Sequence, residues 1–172
     1  LGYFANGEVF TKKALIHWPD GIWLKKHIDI KKIPGRELIK KLKIPQSINK
    51  ILVLGNLSQN SKIFLEKKFK LKVTNKQLPF GPIKEILKTK IKLNNKTLTL
   101  ITLPTPKQEK LAYHLAKKNM SYKIICIGAS VAIASGEERK VPELLKNYEF
   151  IWRLRNDFLR RSKRIVETFF YY

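Results

Sequence analysis

ILVLG (Ile51–Gly55) is the stretch that decides the fold. A short apolar run ended by glycine has the length and composition of a buried strand. The residues that follow it, NLSQNSKIFLEKKF, change to a helical pattern. Ser58 can accept the first free N–H groups of that helix, which is expected to pack Ile63, Leu65 and Phe69 inward. The same succession recurs downstream. LTLIT (98–102) reads as a strand, LPTP as a turn and KQEKLAYHLAKK as a helix begun by proline. KIICIG then repeats the pattern, a buried strand over 123–127 that breaks at Gly128 and crosses a small-residue segment to Gly136. PGRELIKKL (34–42) and GPIKEILKTK (81–90) read as two further helices. Strands alternating with helices predict an α/β domain, Rossmann-like, with a mostly parallel sheet flanked by helices. Ligands in such folds sit at the carboxyl ends of the strands. Here those ends deliver Gly55, the turn over 102–109, and Gly128.

The chain has 172 residues, enough for one domain with its own core. Its formal charge of +23, from 36 Lys plus Arg against 13 Asp plus Glu, admits a nucleic-acid partner, an anionic membrane or compositional drift toward lysine. Much of the excess is lysine scattered among Asn and Ile, as in LKTKIKLNNK, which fits drift or a solvated surface. Arginine is rarer and clusters from Arg139 onward. Its planar fork suits phosphate better than an ammonium does, so that cluster carries more weight.

The single cysteine, Cys126, lies in the apolar run IICIG and reads as a small buried hydrophobe. One cysteine builds neither a disulfide framework nor a thiolate metal site. His17, His27 and His114 have no metal-ligand spacing. No run of 18 or more apolar residues is present, so no transmembrane helix is expected, and no signal peptide is recognised.

Four clusters could carry chemistry. In HWPDGI, Asp20 follows Trp-Pro and precedes Gly, a turn signal; its carboxylate is either a turn cap or a general base on a rigid turn. In PTPKQE (104–109) a helix begins at a strand end, where free N–H groups suit phosphate or a nucleotide ring and Lys107 and Gln108 could add donors. A proline-started helix with Glu109 in its first turn is an equally common arrangement. GASVAIASGEERKVP (128–142) has small residues that permit close backbone approach, but its spacing fits neither the phosphate-loop pattern nor the dinucleotide fingerprint.

The fourth cluster is the terminal segment from about Glu149. At about 100° per residue, Arg160 and Arg164 fall within about 20° of Arg153 on a helix surface. Asp157 shares that face, while Ile151, Leu154, Phe158, Ile165, Val166 and Phe169 occupy the other. A basic face opposite a broad apolar one is the pattern of an interfacial helix, and the tail ETFFYY adds aromatics suited to lipid headgroups. Packing on the domain core with a solvated basic face is the alternative. These features divide the chain into a core, 1–147, and a C-terminal amphipathic helical appendage, 148–172.

Taken in order, these residues resemble a known family. The succession is Asp20-Gly21-Ile22; Lys32-Ile33-Pro34-Gly35-Arg36-Glu37-Leu38; Pro106-Lys107-Gln108-Glu109; Gly128; Ser135-Gly136, Arg139 and Pro142; then Glu149 through Arg153-Leu154 to Arg160. It is similar to the WecG/TagA/CpsF glycosyltransferase family of bacterial surface-polymer synthesis, over nearly the whole chain from about Ile16 to Arg164.

The resemblance implies an inverting, metal-independent transfer. An N-acetylmannosamine-type sugar would pass from a UDP-sugar donor to a polyprenyl-diphosphate-linked N-acetylglucosamine acceptor, in surface polysaccharide or teichoic acid synthesis. It implies no cofactor and no metal site, and the sequence carries no Asp-X-Asp motif. By the same resemblance Asp20 is the base, and Lys107, Gln108, Glu109 and Gly128 stand at the nucleotide-sugar. Arg153 and Arg160 meet diphosphate, with Arg164 or Arg161 as the third member. The protein would lie on the cytoplasmic, inner face of the bacterial membrane as a peripheral protein, held to an anionic surface by its C-terminal helix.

Lys32 stands where the family usually has arginine and Glu37 where it has aspartate; the proline usual between Arg153 and Arg160 is absent. Only LGYFANGEVFTKKALIHW precedes Pro19-Asp20, with Asn6 the sole counterpart of an Asn- and Thr-bearing strand, so an N-terminally shortened core is expected. A catalytically degenerate membrane-associated relative is therefore one alternative. A basic nucleic-acid-binding protein is another, although no RNP-like strand, zinc finger or basic helix-turn-helix pattern is present, and nucleic acid is not an expected partner.

Overall fold

The computed structural model describes residues 14–16 and 33–137. Along the chain lie α1 (Gly35–Lys41), β1 (Lys50–Leu54), α2 (Gln59–Phe69), β2 (Lys72–Lys76), α3 (Ile83–Lys88), β3 (Thr97–Ile101), α4 (Lys107–Lys118), β4 (Lys123–Cys126) and α5 (Ser130–Ser135). The four strands form one all-parallel sheet in the order β2-β1-β3-β4. Helices cover both of its faces, which is the α/β architecture expected from the strand and helix alternation.

Side chains on a strand alternate between faces, and the two apolar layers follow that alternation. Ile51 and Val53 of β1, with Leu98 and Leu100 of β3, join Ile39 of α1, Leu65 of α2, Val73 and Val131 in one cluster. On the opposite face Leu54 and Ile101 meet Ile86 of α3 and Leu111 and Leu115 of α4. Leu65, Leu100 and Ile101 are fully buried. Each such side chain contributes about 1.5–3 kcal/mol of transfer free energy.

Local chemistry sets the helix ends. Ser58 caps α2 as expected, its Oγ accepting the Ser61 N–H at 3.1 Å. Lys70 ends that helix with a left-handed φ of 53°. Gly136, at φ 87°, closes α5.

Three readings need correction. Ile63 is half exposed rather than packed inward, because α2 buries Ser61 and Leu65, and Ile63 lies about 200° around the helix from Leu65. β4 is only partly buried and ends at Cys126; it is an edge strand among the described residues, with β3 on one side alone. The small-residue segment after Gly128 holds a short helix, α5, which packs against α1 and α2. Strand β2 (KVTNK) had not been anticipated. Val73 alone of its five residues is buried, so the apolar signature of an interior strand is missing. The appendage over 148–172 lies outside the described residues.

Candidate active site

From β1 the chain passes through α2 to β2 on one side, and β3 and β4 lie on the other. Helix α2 packs on one face of the sheet and α4 on the opposite face. The boundary between β1 and β3 is thus the topological switch point, and the carboxyl ends of the strands there are where folds of this kind place a ligand crevice. Gly55, Thr102 and Gly128 stand just past the ends of β1, β3 and β4.

Gly55 has φ 116°, and a Cβ built on it would stand 2.5 Å from Thr102 Oγ1. The Thr102 hydroxyl reaches Leu54 O at 3.3 Å and Asn56 O at 3.0 Å. Asn75 of β2 donates through Nδ2 to the carbonyls of Val53 and Gly55, at 3.2 and 2.9 Å. The end of β1 is therefore held from both neighbouring strands.

The PTPKQE segment forms the second wall. Pro106 has no N–H to offer, and the N–H groups of Lys107 and Gln108 both point at Pro104 O, at 2.9 and 3.4 Å. Lys107 Nζ donates to Gly81 O at 2.7 Å, tying the loop before α3 to the start of α4. Gln108 is buried, at 8% exposure. Its Oε1 accepts the Gly128 N–H at 3.0 Å, and its Nε2 donates to Thr105 Oγ1 at 3.1 Å and Glu109 Oε1 at 2.8 Å. The Thr105 hydroxyl also donates to Glu109 Oε1, at 3.0 Å. The structure thus brings Gln108, Glu109 and Gly128 into one hydrogen-bonded corner, with Lys107 turned toward Gly81. The sequence reading offered Gln108 as a hydrogen donor to ligand, whereas both of its amide hydrogens are engaged within the protein.

Glu109 places one further oxygen, Oε2, in a buried position with no hydrogen-bond partner. Its negative charge adds to burial in pushing the nearby Cys126 thiol up to about 12, so this cysteine is a protonated, unreactive thiol at neutral pH. That agrees with its reading as a small packed residue.

Glu137 was missed by sequence reasoning. Its carboxylate sits at the amino end of α2, where Oε1 accepts from the Ser58 hydroxyl and from the Ser61 N–H at 3.1 Å, and Oε2 from the Ser61 hydroxyl at 3.1 Å. The partners are 76 to 79 residues apart, so no local spacing could announce the contact. Both long crossover helices at this end of the sheet thereby meet an acid of the protein itself at their positive ends: Glu137 at α2 and Glu109 in the first turn of α4.

An open polar depression of about 510 Å³, lined by residues including Asn49, Lys96, Ser121 and Lys123, lies at the amino ends of the strands, away from the crevice. Among the described residues, no group of His, Cys, Asp and Glu is arranged to hold a metal ion, and no helix is long and apolar enough to cross a membrane. Asp20, Arg153, Arg160, Arg161 and Arg164 lie outside the described residues.

No match was found among curated proteins. The sequence pattern of the glycosyl transferase WecG/TagA/CpsF family matches residues 12–172, nearly the full length. This match over nearly the full length shows that the chain belongs to the WecG/TagA/CpsF family of glycosyltransferases, and the parallel α/β sheet agrees with it.

Proposed function

We propose that this glycosyltransferase moves an N-acetylmannosamine-type sugar from a UDP-sugar to a polyprenyl-diphosphate-linked N-acetylglucosamine, with inversion and without a metal ion, in bacterial surface polysaccharide or teichoic acid synthesis. Family membership over residues 12–172 is the observation that carries this reading. An inverting transfer requires one base aligned with the acceptor hydroxyl and fixed cations for the charge that develops on the departing diphosphate. Asp20, in the sequence Pro19-Asp20-Gly21, serves as the base. Arg153 and Arg160, with Arg164 or Arg161, serve the diphosphate. Lys107, Gln108, Glu109 and Gly128 form the donor side of the crevice.

The crevice chemistry supports that division of labour. With the amino ends of α2 and α4 each facing a carboxylate, side-chain cations have to supply the positive charge that a pyrophosphate needs. A core over 1–147 and a basic, aromatic appendage over 148–172 would then bring those cations to the inner face of the cytoplasmic membrane, where a polyprenyl acceptor resides.

The deciding experiment is a transfer assay with a small panel of UDP-sugars and a lipid-diphosphate acceptor. Transfer from a UDP-N-acetylmannosamine-type donor is expected, and Asp20→Ala should abolish it while circular dichroism stays unchanged. Full activity in Asp20→Ala would sink the base assignment, and no transfer from any UDP-sugar would sink the reaction.

A further inference from the structure

A small notch beside Gly128 has a definite hydrogen-bonding polarity. Where a Cβ would stand on this glycine, the described atoms within 4 Å are Leu103 O at 3.9 Å and Gln108 Oε1 at 4.0 Å. Both are acceptors. Gly128 itself is partly buried and adopts φ 50°, just past the carboxyl end of β4.

The neighbours of Gln108 dictate which end of its amide faces this notch. Glu109 Oε1 can only accept while ionised, and the Thr105 hydroxyl uses its hydrogen on that same oxygen. Each therefore requires a donor from Gln108, which leaves Oε1 to take the Gly128 N–H. A flipped amide would set oxygen against a carboxylate and nitrogen against an N–H, losing both of those bonds, and the Thr105 hydroxyl could bond the flipped oxygen only by giving up Glu109. The unpartnered Glu109 Oε2 adds negative potential nearby. A phosphate is repelled from such a corner, and a neutral hydrogen-bond donor is favoured.

We infer that the notch faced by Leu103 O and Gln108 Oε1 receives a neutral N–H or O–H group of the ligand, and that Thr105 and Glu109 are positioning residues that hold Gln108 in the required polarity. This rests on the proposed function, under which the ligand is a sugar nucleotide. The donor group is then the imide N–H of the base or an amide or hydroxyl of the sugar.

The test is calorimetric titration of the full chain with UDP, N3-methyl-UDP, a UDP-N-acetylhexosamine and inorganic pyrophosphate, joined to NMR of the Gln108 side-chain amide. Gly128→Ala, which fills the notch with a methyl at ordinary contact distance, should weaken the cognate ligand about tenfold, the worth of one well-made hydrogen bond to a buried acceptor. If the base supplies the donor, UDP weakens and N3-methyl-UDP is equally weak on the wild type. If the sugar supplies it, only the UDP-N-acetylhexosamine weakens. Pyrophosphate affinity should not change in either case, and a parallel loss there would overturn the assignment. Glu109→Ala should speed exchange of the Gln108 amide hydrogens and weaken the same ligand, with Glu109→Gln intermediate; unchanged exchange overturns the positioning role. Should Gly128→Ala fail to fold, a wild-type Gln108 amide resonance that does not shift at ligand saturation overturns the notch. A wild type that binds neither UDP nor UDP-sugar defeats the proposed UDP-sugar reaction along with it, whereas binding indifferent to Gly128→Ala defeats the notch alone.

Discussion

Gly55 and Thr102 approach so closely that a Cβ on the glycine would stand 2.5 Å from the threonine hydroxyl. That hydroxyl reaches the carbonyls on either side of Gly55, so the two strand ends that floor the crevice hold each other in place. Gly55→Ala must adopt φ 116° and also displace the hydroxyl. A loss of about 2–4 kcal/mol is expected in urea denaturation. Thr102→Ala alone should cost about 1 kcal/mol. The double variant should lose less than the sum, because removing the hydroxyl relieves the clash but leaves the backbone strain. Additive losses would show that the contact does not constrain the glycine.

Ser58 and Glu137 act on the same end of α2. Ser58 Oγ accepts the Ser61 N–H while its hydrogen goes to Glu137, whose carboxylate also takes the Ser61 N–H. Ser58→Ala is expected to cost about 1 kcal/mol as a lost helix cap. Glu137→Ala should cost less, since the carboxylate is exposed and screened by water. The shared Ser61 N–H makes the two changes non-additive in a double-mutant cycle on thermal or urea unfolding.

Cys126 gives a pH-dependent readout. Its folded thiol is pushed up to about 12 from the ordinary value of 9.0, first by burial and then by the charge of Glu109. A group whose folded pKa is raised stabilises the fold fully below its unfolded value. That contribution is lost as pH climbs from about 9 toward 12, where the unfolded chain releases the proton first. Comparison of wild type with Cys126→Ala should show a stability difference that shifts against the wild type only above pH 9. Labelling by a thiol reagent at pH 8 should be slow in the native protein and rapid in denaturant. Rapid native labelling would contradict the buried environment.

The elements that could be read from the sequence are those whose local pattern agrees with their final environment. ILVLG and LTLIT are apolar runs because β1 and β3 are interior strands with a neighbour on each side. KVTNK carries no such mark, since β2 is an edge strand among the described residues and its polar side chains bond to the backbone of β1. Ile63 misled for the opposite reason: it is apolar in sequence yet points away from the sheet. In the crevice, the strand-end glycines and the PKQE turn were legible from position alone. The polarity of Gln108 was not, because it depends on Gly128, 20 residues away, and Glu137 meets Ser58 across 79 residues.

The appendage makes a separable prediction about the membrane. Removing residues after about Asn147 takes away the aromatic sequence ETFFYY together with Arg153, Arg160 and Arg164, whose spacing in the sequence predicts one basic helical face. The truncated chain should no longer sediment with anionic liposomes, whereas the full chain should do so with an affinity that falls as salt is raised. Undiminished sedimentation of the truncated form would place membrane attachment in the core.

The self-neutralised helix ends lead to a sharper prediction about charge. If the amino end of α2 were the diphosphate seat, Glu137→Ala would vacate it and UDP would bind more tightly. If arginine side chains carry the diphosphate instead, Glu137→Ala should leave UDP affinity within about twofold, while Arg153→Ala or Arg160→Ala should each lower it about tenfold, in line with a lost charge-assisted hydrogen bond. Uridine, which has no phosphate, should bind all these variants alike, so the ratio of UDP to uridine affinity isolates the charge from the rest of the ligand. An arginine variant that loses uridine and UDP in equal proportion would assign that residue to the shape of the site rather than to the diphosphate.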